Sequence, residues 1–99
     1  MKFEQWVANF MKRFGYPNAR RRLSQYQETD GIDLDNTGSY AIQCKSGKKI
    51  NIMKAYEEAQ TSSQENMIPL LFFKYDQKKP MVVMSANDFE KYVKREQGQ

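Results

Sequence analysis

The chain has 99 residues, with 16 Lys and Arg against 12 Asp and Glu, a net charge of +4, 39% hydrophobic residues and 28% charged ones. That is enough chain for one domain with a small core, its composition is not that of a disordered segment, and its charge favours a polyanionic partner. A single cysteine, Cys44, and the absence of histidine exclude an intrachain disulfide, a zinc finger, a His-based metal site and a Cys–His nucleophile.

No apolar run reaches membrane-spanning length, and the N-terminus is amphipathic and charged, unlike a signal peptide. A cytoplasmic protein without a membrane partner is the expectation. The spacing of Phe3, Trp6, Val7, Phe10, Met11 and Phe14 predicts an amphipathic helix, ended by Gly15 and broken by Pro17. Glu4 lies at the edge of that apolar stripe. It is either a solvated carboxylate favourable to the helix dipole or a group that reaches a neighbouring cleft.

Arg20, Arg21 and Arg22 follow, near Lys12 and Arg13, and make the strongest positive cluster in the chain. They are candidates for holding nucleic-acid phosphates, with a solvated loop as the alternative. The segment from Arg21 to Glu28 alternates weakly and reads as a strand. Gly31–Asp35 reads as a second strand, with Asp33 and Asp35 on one face and Ile32 and Leu34 on the other. Turn chemistry at Asn36–Gly38 leads into a third strand over Ser39–Lys45. There Tyr40, Ile42 and Cys44 face one way and Ala41, Gln43 and Lys45 the other. The hairpin is expected to bring Gln43 and Lys45 beside Asp33. An acid, an amide oxygen and an ammonium in one cluster suit a divalent metal and phosphate transfer. A plain surface hairpin is the alternative. Ser46–Lys49 is a basic turn, so Lys48 and Lys49 join the phosphate-binding candidates.

Asn51 is expected to cap a helix running to about Ser62, with Ile52, Met53, Tyr56, Ala59 and Gln60 inward. Gln60, the odd polar member, is read as a hydrogen-bonded core residue or a substrate contact. Ile68–Tyr75 is the most hydrophobic run and reads as a strand buried on both faces. A polar loop closed by Pro80 leads to a strand at Met81–Met84. Ser85–Asp88 then matches a capping pattern for a last helix, with Phe89, Tyr92 and Val93 on one face and fraying from about Arg95. The expected fold class is α/β: a small mixed β-sheet flanked by helices, in the order α-β-β-β-α-β-β-α, as one domain over residues 1–99.

With these residues in place, the chain resembles the PD-(D/E)xK nuclease superfamily, whose restriction-endonuclease-like core has this order of elements. The family motif is an acid on the second strand, then an acid or glutamine, any residue and lysine on the third. Asp33 and Gln43–Cys44–Lys45 match it. The wording Gly31–Ile32–Asp33 with Gln43–Cys44–Lys45 is similar to Mrr-type restriction endonucleases. Phe3, Glu4 and Val7 with Phe14, Gly15 and Tyr16 resemble the first helix of Mrr-type and Holliday-junction-resolvase-like members. The sequence departs from the commoner pattern in carrying Gln43 where an acid is usual.

The resemblance implies a metal-dependent endonuclease that hydrolyses DNA phosphodiester bonds. Glu4, Asp33 and Gln43 would hold Mg²⁺ or Mn²⁺, and Lys45 would orient water or neutralise charge on the phosphate. Asp35 is the fallback ligand, with Asp30 and Glu28 less favoured. Small size and basic charge point to a homodimer acting on branched DNA, as in Holliday junction resolvases and compact phage nucleases, in a bacterial, archaeal or phage-infected cell. A restriction or repair nuclease acting on linear DNA, and a non-catalytic DNA-binding module of the same fold, are the alternatives.

Overall fold

The computed structural model describes residues 2–22 and 31–98. Helix α1 (Lys2–Lys12) is followed by two short strands, β1 (Arg20–Arg21) and β2 (Leu34–Asp35), and then by the long strand β3 (Tyr40–Gly47). Helix α2 (Ile52–Ser62), strands β4 (Ile68–Tyr75) and β5 (Met81–Val83) and helix α3 (Ala86–Gln97) complete the chain. Among the described residues this is a small α/β protein with three helices and mixed sheets, in the element order read from the sequence. Leu23–Glu28, the remainder of the expected first strand, lies outside the described residues, as does Asp30.

Strands β1 and β2 pair antiparallel, with Arg20 opposite Asp35 and Arg21 opposite Leu34. Strands β3 and β4 pair parallel over their full length, from Tyr40 opposite Ile68 to Gly47 opposite Tyr75. A parallel pair needs a crossover, and α2 supplies it. Strand β5 then returns antiparallel along β4. The hydrogen bond from the Asp33 N–H to the Ile42 carbonyl, at 2.8 Å, links the two-stranded and three-stranded sheets.

The period of two along β3 and β4 divides the interior. Ile42, Cys44, Leu70 and Phe72 pack against Phe3, Val7, Ala8 and Met11 of α1. Leu71 faces the other way, against Ala55 and Tyr56 of α2, with Phe73 and Ile52 beside it. One helix therefore covers each face of the central strands, and β4, between β3 and β5, is buried from Pro69 to Phe72.

Local chemistry sets the element ends. At the end of α1 the Tyr16 N–H reaches back to the Met11 carbonyl, across Gly15 at φ +101°. The β2–β3 turn has positive φ at Asn36 and Gly38, and a Cβ on Gly38 would lie 2.5 Å from the Tyr16 ring. Asn51 Oδ1 accepts the Lys54 N–H at the start of α2, and Ser85 Oγ accepts the Asp88 N–H at the start of α3, both at 3.0 Å.

Some expectations are corrected. Met53 and Gln60 are exposed, because the inward stripe of α2 is the narrower set Ile52, Ala55, Tyr56 and Ala59. At about 100° per residue, Met53 and Gln60 lie roughly a quarter-turn away from that stripe. Gln60 is therefore not a core residue. On α1, Trp6, Phe10 and Phe14 flank the core as a ladder of stacked and tilted rings spaced 5.2 and 4.9 Å apart, and Phe14 is largely exposed. Helix α3 continues past Arg95 to Gln97 and buries none of its residues, although the Tyr92 hydroxyl hydrogen-bonds that of Tyr40. Among the described residues no helix is long and apolar enough to cross a membrane.

Candidate active site

Asp33 sits just before β2, beside β3. Its N–H donates to the Ile42 carbonyl and its carbonyl accepts the Arg22 N–H, both at 2.8 Å, so its backbone is fixed from two sides. On β3, the Ile42 carbonyl and the Cys44 N–H point to the same side, toward β2. The Cys44 N–H is met there by the Asp33 carboxylate, with Oδ2 at 2.7 Å. A side-chain carboxylate thus stands in the opening between the two strands, against the peptide that joins Gln43 to Cys44.

Gln43 and Lys45 leave β3 on the face covered by α2, where both meet Glu58. Gln43 Nε2 donates to Glu58 Oε1 at 2.7 Å, and Lys45 Nζ lies 3.7 Å from the same oxygen. Gln43 is buried, at 4% exposure, and among the described residues its Oε1 has no hydrogen-bond partner. A buried amide oxygen in that state carries a desolvation cost that a donor or a cation would relieve. Lys45 and Glu58 are each nearly half exposed, so their ion pair orients the two side chains more than it stabilises the fold.

Helix α2 is held close at this point by Gly31. Its N–H donates to Ser62 Oγ at 2.8 Å, and a Cβ there would lie 2.6 Å from the Glu58 carbonyl oxygen. Only a glycine permits this approach of backbone to backbone. Glu58 is the functional candidate that the sequence reading missed. The available signal was an acid pair, Glu57–Glu58, in a helix that must cross back over the strand carrying Gln43 and Lys45.

Glu4 points to the other face of β3. It forms an ion pair with Arg21, Nε to Oε1 at 3.2 Å, and its charge is felt at Cys44. Burial, then the Asp33 and Glu4 carboxylates, push the Cys44 thiol far above its ordinary value, so it remains protonated and inert. Asp35 is engaged by Arg22, Nε to Oδ1 at 2.9 Å. Two of the three consecutive arginines are therefore committed to carboxylates of this chain.

Arg20 is exposed and lines a depression with Lys12, Tyr16 and Asn36. Arg13 stacks over the Phe10 ring, its guanidinium carbon 5.4 Å from the centroid. Lys48 and Lys49 are exposed in the turn after β3, and Lys49 lines a cleft with Lys45, Lys54 and Glu58. The structure thus joins Asp33 to β3 at Cys44 and gathers Gln43 and Lys45 around Glu58. It sets Glu4 and the arginines on the opposite side of that strand.

Chemically, this is a hard-oxygen site with an ammonium beside it. Among the described residues no three Asp, Glu or Cys side chains are grouped to hold a metal. A cation here would rest on one or two carboxylates, the Gln43 amide oxygen and water, a donor set that suits Mg²⁺. Comparison of the chain with family models, with curated proteins and with solved structures found no match in any of the three.

Proposed function

We propose that this chain is a metal-dependent DNA endonuclease of the restriction-endonuclease-like kind, acting as a homodimer on branched DNA such as a four-way junction. The observation that carries the reading is the Asp33 carboxylate in the β2–β3 opening, hydrogen-bonded to the residue that separates Gln43 from Lys45. The acid thus reaches the backbone of β3 between Gln43 and Lys45, whose side chains gather around Glu58 on the face covered by α2. The unpartnered Gln43 Oε1 supports a cation there, because a hard oxygen without a donor is what a divalent ion completes. The net charge of +4 supports a polyanionic substrate.

Asp33 and Gln43 would hold Mg²⁺ or Mn²⁺, whereas Glu4, expected as a further ligand, lies on the other face of β3 paired with Arg21. The bound ion supplies Lewis acidity toward the phosphate and lowers the pKa of a water. The remaining work falls to side chains of this chain. Asp33 is held rigidly by its own backbone bonds and by the Cys44 N–H, so it keeps its place as substrate enters. Lys45 places an ammonium where charge builds on the phosphate oxygens during in-line attack. Glu58 holds Lys45 and the Gln43 amide in a fixed relation through one oxygen, and in that role it is a positioning residue.

The test is cleavage of a labelled four-way junction and its matched linear duplex with Mg²⁺ or Mn²⁺, comparing wild type with Lys45→Ala. Paired nicks in the junction that vanish in the variant are expected. Equal cutting of the duplex would move the reading to a restriction or repair nuclease. Binding without cleavage in either metal would leave a DNA-binding module.

A further inference from the structure

The turn after β3 and the first turns of α2 enclose a cleft of about 240 Å³, lined by Lys45, Ser46, Lys49, Asn51, Lys54 and Glu58, among others. Three ammonium groups face it and one carboxylate. That carboxylate, Glu58, is already shared between Gln43 and Lys45. Among the described residues the cleft therefore carries an excess of positive charge.

Two features sharpen this. Helix α2 is 11 residues long and has no acidic residue in its first turn, so the positive end of its dipole adds to the lysines. Beneath the cleft, behind Glu58, lies the buried Gln43 with its unpartnered oxygen, which ties the cleft to the candidate active site. Lys54 precedes Glu58 by four residues, about 6 Å along the helix axis. An anion held by Lys54 and Lys49 thus sits beside the position served by Lys45 rather than on it.

We infer that this cleft seats a backbone phosphate of the nucleic-acid strand being cut, next to the scissile one, with Lys49 and Lys54 as its ligands. This rests on the nuclease reading and extends it. It gives the strand a path along the start of α2, away from the arginine segment. Lys54 joins the binding surface as a residue for which the sequence pattern gave no cue.

The experiment measures binding of a four-way junction and of a linear duplex over a range of salt concentrations without divalent metal, and cleavage with Mg²⁺. It uses wild type, the double variant Lys49→Gln/Lys54→Gln, and Lys49→Arg/Lys54→Arg. Each lost phosphate contact flattens the plot of log K against log[salt] by about 0.9. The Gln pair, losing that one phosphate, should therefore lower the slope by about 0.9 and raise KM far more than it lowers kcat, while the Arg pair keeps the wild-type slope. Both lysines are exposed, and an unchanged melting curve verifies the fold. If wild type binds and cuts while the Gln pair keeps its slope, the phosphate seat is overturned and the nuclease reading stands. If wild type neither binds nor cuts, both fall together.

Discussion

The arginine segment Arg20–Arg22 and the lysine cleft of Lys45, Lys49 and Lys54 are both basic, yet the fold treats them differently. At the arginines, Glu4 and Asp35 lie within 3.2 and 2.9 Å of the guanidinium groups, and the segment is pinned between α1 and β2. At the lysines, a single carboxylate among the described residues lines the cleft, and it is shared with a buried amide. Positive charge in a sequence thus indicates a ligand only where the fold has not already supplied the counter-ion. By that criterion Arg21 and Arg22 have counter-ions within this chain, and under the proposed function the lysines are the surface left for a phosphate.

The largest effect that would break this contrast comes from Lys45→Ala. Under the proposed function, cleavage should fall by about 10²–10³-fold while DNA affinity changes only several-fold. Equal loss of binding and cleavage would make Lys45 one more surface cation. Glu58→Gln comes next. It keeps the shape but removes the charge that orients Lys45, and cleavage should drop by about 10–100-fold in a single-turnover assay with thermal stability nearly intact. An unaffected rate would reduce the Glu58 contacts to packing.

Arg22→Ala tests the other half of the comparison. Loss of its pair with Asp35 should cost about 1 kcal/mol, a fall in Tm of roughly 4–8 °C for a domain of this size. The salt dependence of DNA binding should barely move. A change in slope as large as that for the two lysines would show that the arginines hold phosphate after all.

The smallest effect concerns pH. Burial and the nearby carboxylates raise the Cys44 pKa in the folded state above its ordinary value of 9.0, so the unfolded chain loses that proton first as pH rises. The stability tied to the neutral thiol is full below about pH 9 and declines above it. Denaturant melts between pH 8 and 10.5 should show wild type losing more stability than Cys44→Ala. A thiol reagent should label Cys44 only once the chain unfolds.

Much of the architecture was legible in the chain. The alternation of Ile42, Gln43, Cys44 and Lys45 correctly assigned their faces, because a strand has only two. Asn51 and Ser85 announced the starts of their helices through side-chain oxygens, which act within three residues. Helix faces were read less well. Met53 and Gln60 lie a quarter-turn from the buried stripe, and a spacing rule cannot resolve where a stripe ends. The pairing of Glu58 with Gln43 and Lys45 could not be read at all. It depends on how far α2 slides along β3, and that is set by the approach of Gly31 to the helix backbone.

What the sequence determined by itself was local: which segments become strands or helices and which residues share a strand face. Only the tertiary structure decided which charges are spent on one another. Arg21 with Glu4 and Arg22 with Asp35 join residues 17 and 13 positions apart, and Gln43 with Glu58 joins residues 15 apart. Such pairings follow from the packing of helices on a sheet, which brings charges distant in sequence within hydrogen-bonding reach.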